Sequence, residues 1–166
     1  MTASESRDAA APLETGEPPY VAYASLMATF LGAVTLVAVL GARRGRSPQA
    51  VRPFDLVVLG LATFKAARTL SRDEVTSFIR EPFVEESAPA DDETPVQTGG
   101  ARQAIGELVT CSRCVGTWVA AGIAAIDTLM PRAGRLLSWC LAVGGLNDWL
   151  QAGFAALTAS ADRLGR

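Results

Sequence analysis

Hydrophobic positions in this chain come in long unbroken runs, and the charges gather in blocks between them instead of alternating at the three-and-four spacing of an amphipathic soluble helix. Four runs stand out, at residues 20–42, 54–70, 115–130 and 133–157. The first lies inside a stretch of 25 residues without a charge, 18–42, that stops at Arg43-Arg44-Gly45-Arg46. About 20 apolar residues at a rise of 1.5 Å cross a hydrocarbon core of roughly 30 Å, so this run predicts a membrane-spanning helix with a basic stop. Tyr20 and Tyr23 stand at its entrance, where amphipathic rings prefer the headgroup level. The first 19 residues are acidic and small and contain Pro18 and Pro19, the opposite of the basic region that opens a secretory signal. They read as a disordered tail, residues 1–19, before a retained anchor at 20–42.

The other runs are less plain. In the second, only residues 56–64 are free of charge, and Lys65, Arg68 and Arg72 follow on one helical face. Such a helix spans if the long stems carry their charges to the interface, and is otherwise re-entrant. Ser71 with Glu74 three residues on has the form of a capping box, opening a short helix with Val75, Phe78 and Ile79 on one side and Pro82 at its end. An element of this kind lies on the membrane surface. Residues 85–100, EESAPADDETPVQTGG, are acidic and rich in Pro and Gly, which predicts a flexible loop. The fold class expected is all-α: a small polytopic transmembrane bundle of three to four membrane segments, with one interfacial helix and one flexible acidic loop. Residues 54–157 form its main membrane domain and 158–166 a C-terminal tail.

Small residues recur every fourth position: Gly116, Ala120 and Ala124 on the third run, Gly144, Ala152 and Ala156 around Asp148 on the fourth, and Ala24, Ala28 and Gly32 on the first. This spacing lets helix backbones approach closely in lipid. Orientation follows Lys and Arg in the short flanking loops. With a re-entrant second segment, both basic clusters and the long loop fall in the cytosol, and the count favours a cytosolic cysteine loop on that premise. If all four runs cross, the count gives no clear bias.

The chain has 166 residues, 49% of them hydrophobic, a formal net charge of −2 and no histidine. No basic patch with interleaved aromatics points to nucleic acid. The expected partners are the lipid bilayer, a second copy of the chain or another membrane protein, and the expected location is a bacterial cell membrane, crossed several times. Cys111-Ser112-Arg113-Cys114, just before the third run, is the sharpest local motif. Two thiols three apart can pack structurally, hold one edge of a metal site, or form a redox pair at a helix N-terminus, where the dipole and Arg113 favour the thiolate. A structural zinc needs four ligands, and the one other cysteine is Cys140 in the fourth run, so no cofactor is expected within one chain. Zinc shared across a dimer through both Cys111 and Cys114 is the alternative. Asp127 and Asp148 lie in apolar runs, where a carboxylate serves an ion path or pairs with a cation; Lys65 and Arg68 are the candidates. Trp118 and Trp139 fit interfacial anchoring, though Trp139 could equally pack inward. No catalytic group has a recognisable partner, which predicts no enzyme.

Three stretches together carry a family likeness: residues 61–70 (LATFKAARTL), 73–83 (DEVTSFIREPF) and 106–118 (GELVTCSRCVGTW). They resemble the small bacterial membrane proteins of domain-of-unknown-function family 1360, which includes a sporulation-associated protein of bacilli. The resemblance covers roughly residues 54–157. It implies a multi-span bacterial membrane protein without established activity, in which the basic pair Lys65 and Arg68 and the cysteine pair are family features. Lys65 replaces an arginine of the family pattern, and the first span is additional. The function expected is that of a non-enzymatic structural or interaction protein of the membrane. A metal or redox module built on Cys111 and Cys114, and a small transporter or channel component using Asp148, are the alternatives.

Overall fold

The computed structural model describes residues 18–45, 52–85 and 93–164. Among these, all regular structure is helical apart from one isolated antiparallel bridge between Val84 and Pro95. Helix α1 is Tyr20–Arg43, and Gly45 at φ +67° turns the chain away after it, a conformation that suits glycine. Helix α2 is Pro53–Arg72. It starts on proline at its first position, where the missing N–H costs nothing, and the Arg52 N–H donates to Asp55 Oδ2 at 3.4 Å. A single turn α3, Ser77–Arg80, lies between 3₁₀ turns at Glu74–Thr76 and Glu81–Phe83. Then come α4 Ala101–Thr110, α5 Ser112–Leu129 and α6 Pro131–Leu164.

Side-chain contacts fix how the long helices run. Phe54 meets Trp139, the Leu61 carbonyl faces Gly145, Phe64 meets Trp149, and Lys65 meets Asp148. The nearly constant offset makes α2 and α6 parallel neighbours. Ala67 faces Gly116 and Ser71 bonds Ser112, so α5 runs antiparallel to α2. Phe30 packs edge-on against Trp118, with ring centroids 5.2 Å apart, and attaches α1 to α5. The α5–α6 turn is tight: a Cβ at Gly134 would lie 2.4 Å from Asp127 Cα, so only glycine fits there. The start of α1, the end of α2 and the start of α5 therefore share one end of the bundle. The end of α1, the start of α2 and the α5–α6 turn share the other.

The packing is inverted relative to a water-soluble bundle. Its interior is rich in small side chains, with Ala62, Ala67, Ala104 and Ala142 under 5% exposed beside the buried Val115 and Ile123, while Leu31, Leu56, Leu136 and Phe154 are each at least 60% exposed. Among the described residues one helix, α1, is long and apolar enough to cross a membrane alone; α4 and α5 qualify only as a pair, with an 87° bend between them. Lys65, Arg68 and Arg72 lower the apolarity of α2, and Asn147, Asp148 and Gln151 lower that of α6.

Several expectations change. Ser71 caps nothing: it is buried in the last turn of α2, and Asp73 opens the next turn in extended conformation without a side-chain cap. The sequence of a capping box was present, but a buried hydroxyl partner in Ser112 takes the serine. The short helix ends at Arg80, just before Pro82, which sits early in a 3₁₀ turn where no N–H is needed. The surface helix is thus one α-helical turn between two 3₁₀ turns, with Val75 and Phe78 exposed as expected. The second segment is one continuous helix and does not turn back. The tail read at 158–166 continues α6 as far as Leu164. Residues 86–92 of the acidic segment, and 1–17 of the N-terminal tail, lie outside the described residues. The rest of the acidic segment is tied down, as the following contacts show.

Candidate functional site at the polar end of the bundle

A cap of short elements covers the end where α1 and α5 begin. Its centre is Arg80, which has no exposed surface at all. A buried guanidinium is tolerated only with its donors filled and its charge balanced. Here Nε and Nη2 donate to Glu93 Oε2 at 2.6 Å and Oε1 at 3.2 Å, and Nη1 donates to the carbonyls of Leu70 at 2.9 Å and Asp73 at 3.1 Å and to Thr76 Oγ1 at 3.0 Å. Two of those acceptors lie at the end of α2, so Arg80 also closes that helix. Glu93 is held in turn by main-chain bonds from Glu85 N to Thr94 O (2.9 Å) and from Val96 N to Phe83 O (3.1 Å). The acidic segment that composition reads as flexible therefore has a fixed half, 93–100, because one of its carboxylates neutralises a buried cation.

Helix α4 was not expected at all. Its inner face carries Gln103, buried, whose Oε1 accepts from Gly99 N at 2.8 Å and whose Nε2 donates to Gln97 Oε1 at 3.1 Å and Glu107 Oε1 at 2.9 Å. Tyr23 of α1 donates its hydroxyl to Glu107 Oε2. A Cβ at Gly106 would stand 2.5 Å from the Phe83 carbonyl, so α4 lies directly on the turns. The signal for it was available in the spacing of Ala101, Ala104, Ile105, Leu108 and Val109, obscured by the adjoining Pro- and Gly-rich segment.

The cysteine pair lies where α4 meets α5. Cys111 is the N-cap residue of α5 and its sulfur accepts the Cys114 N–H at 3.3 Å. Both thiols are free; Cys111 is half-buried and Cys114 exposed. Burial works against the Cys111 thiolate, yet hydrogen bonds from the Cys114 thiol and from the backbone N–H groups of residues 113 and 114, with the Arg113 charge, bring Cys111 below the ordinary thiol range. Donating to Cys111, with partial burial added, pushes Cys114 up to about 11. Among the described residues no group of three or more Cys, Asp or Glu side chains converges as metal ligands. Cys140 is exposed on α6.

Below the cap, Lys65 Nζ donates to Asp148 Oδ2 at 2.9 Å, each side chain about 30% exposed. This is one of the expected pairings. Arg68 and Asp127 are exposed and have no ion pair among the described residues. Of the small residues, Gly116 faces Ala67, and a Cβ at Gly144 would lie 3.6 Å from the Lys65 stem. The closest approach is at Gly145, which the spacing rule passed over: a Cβ there would lie 2.8 Å from the Leu61 carbonyl. Ala120, Ala124 and Ala152 face outward, as do Ala24, Ala28 and Gly32 of α1, because the fourfold stripe drifts around each helix away from α2.

Residues 58–154 match the protein family described as "Protein of unknown function (DUF1360)". The chain is similar to the sporulation protein YjcA of Bacillus subtilis (strain 168), 33% identical over 115 residues that cover 61% of this chain and 98% of that protein. No solved structure matches it.

Proposed function

This chain belongs to the DUF1360 family, and from that premise we propose that it is a multi-pass membrane protein without catalytic activity, a scaffold whose polar cap is its contact surface. The observation that carries this reading is the inverted packing: alanines and glycines predominate inside, beside Val115 and Ile123, and most of the exposed bulk is Leu, Val, Phe and Trp. In water so much exposed apolar surface is a liability, and in lipid it is the solvated face. Helices α1, α2, α5 and α6 are then the crossing elements. Lys65 and Asp148 neutralise each other, which lowers the cost of keeping both at depth. Their pairing is read as structural and not as an ion path.

Sidedness follows from the first helix. The residues before it contain one arginine, Arg7, whereas Arg43, Arg44, Arg46 and Arg52 follow it. The basic flank stays in the cytosol. With α2 unbroken, the re-entrant premise for a cytosolic cysteine loop is gone, and the basic flank of α1 then puts the cap with its cysteines outside. A part in sporulation is the process-level reading that the Bacillus relative supports. No cofactor enters this account; one zinc per two chains in elemental analysis would replace it with a site shared between copies. Extraction tests the scaffold reading. The chain should stay in the membrane fraction through alkaline carbonate and leave it only in detergent, and a monodisperse protein in plain buffer would overturn it.

A further inference from the structure

We infer that Cys111 and Cys114 form a thiol–disulfide exchange site at the mouth of the cap, with an accessible disulfide as its substrate. The inference goes beyond the scaffold reading and rests on it only for the compartment. Three features of the geometry carry it. The two cysteines stand on one helical turn, with the Cys114 N–H donating to the Cys111 sulfur at 3.3 Å, so closing a bond between the sulfurs needs rotation of side chains and little movement of backbone. Both are reachable: Cys114 is exposed and Cys111 half-buried where α4 bends into α5. The turn itself is held rigid: the hydroxyl of the intervening Ser112 bonds Ser71 of α2 at 2.5 Å, so the pair is presented in one orientation.

The roles of the two thiols are unequal. Cys111 is the attacking group, since its sulfur already accepts a backbone N–H at the positive end of an 18-residue helix. Its proton goes to solvent. The thiolate attacks one sulfur of the incoming disulfide, that S–S bond breaks, a mixed disulfide forms, and the first partner sulfur leaves as a thiolate that takes a proton from solvent. Cys114 then loses its proton to solvent and attacks the Cys111 sulfur. The Cys111–Cys114 bond forms as the mixed disulfide breaks, and the second partner thiolate leaves and is protonated. Two thiols are oxidised and one disulfide is reduced to two thiols, with no other reactant. On the extracytoplasmic side such disulfides persist, which is where the sidedness proposed above places the pair.

The test uses the full chain in mild detergent with Cys140→Ala, leaving only the pair. Equilibrated against mixtures of reduced and oxidised glutathione, it should pass between dithiol and intramolecular disulfide as one two-electron step, read by mass spectrometry after alkylation. Cys114→Ser should accumulate a mixed disulfide on Cys111, at least about tenfold faster than Cys111→Ser accumulates one on Cys114. Glutathione disulfide and a short peptide disulfide, compared as trapping reagents, separate a low-molecular-weight substrate from a polypeptide one. Because a serine variant can misfold, relative rates of iodoacetamide labelling in the Cys140→Ala chain give a second reading, with Cys111 again the faster. A pair that stays reduced across the whole glutathione range, or equal trapping by the two serine variants, overturns the proposal. Solubility without amphiphile would sink the membrane reading and leave these rates measurable, so the two can fail separately.

Discussion

Glu93→Gln is the substitution whose effect the geometry specifies best. The amide keeps the shape and one acceptor oxygen of the carboxylate, but it leaves the Arg80 guanidinium, with no exposed surface, without a counter-charge. Breaking a buried pair in this way costs about 3–5 kcal/mol, and the retained amide contact argues for the lower figure, about 3 kcal/mol. The loss need not reach the bundle, because a cap can open while the helices stay packed. Amide hydrogen exchange is therefore the assay. The Glu85 and Val96 amides, which donate to the Thr94 and Phe83 carbonyls, report opening of the Val84–Pro95 bridge. A local loss of about 3 kcal/mol accelerates their exchange about a hundredfold. Arg80→Lys should accelerate it as well, since an ammonium cannot serve two carboxylate oxygens and the α2 carbonyls from one fixed fork. Exchange in Glu93→Gln within about twofold of the parent would refute the reasoning, and the cap would then owe its order to something other than this pair.

Asp148→Asn leaves Lys65 unpaired about 10 Å short of the end of α2, farther than its stem extends, so bundle stability in detergent should fall by about 2–3 kcal/mol. Adding Lys65→Met should restore at least half, read as the coupling in a double-mutant cycle of unfolding midpoints. Gly145→Ala should destabilise by about 1–3 kcal/mol, because its Cβ meets the Leu61 carbonyl, while Gly144→Ala meets only the Lys65 stem and should be near neutral in the same assay. Thiolate is the reactive form, so alkylation speeds up as pH rises through each pKa. The Cys111 rate should reach half its maximum below the pH of an ordinary cysteine, whereas that of Cys114 should keep rising to about 11, measured by site-resolved labelling from pH 6 to 11.5.

Runs and interruptions in the sequence located the long helices within a few residues, apart from the last seven residues of α6, since chain-scale apolar patterning survives any tertiary arrangement. The Lys65–Asp148 pairing was legible for a related reason: charges inside apolar runs have few partners to choose from. What escaped depends on contacts between distant segments. Composition makes 93–100 look unable to order itself, and it cannot; Arg80, thirteen residues before Glu93, does the ordering. Helix α4 gains its inner face only by lying on the Phe83 turn and meeting Tyr23 of α1. Fourfold spacing of small residues could not say which of them a neighbour faces: Gly116 lies toward Ala67 and Gly144 toward the Lys65 stem, while Gly145, outside the stripe, lies against the Leu61 carbonyl.

The central claim is that lipid surrounds these helices, and α5 offers the most direct test because its 18 residues separate two labelling points by about 27 Å. Cys114 marks one end and Ala133→Cys, just past the turn, marks the other; each would be the only cysteine in its chain. A membrane-impermeant maleimide should label Cys114 in intact cells and Ala133→Cys only after permeabilisation. Labelling of both from the same side would contradict the account.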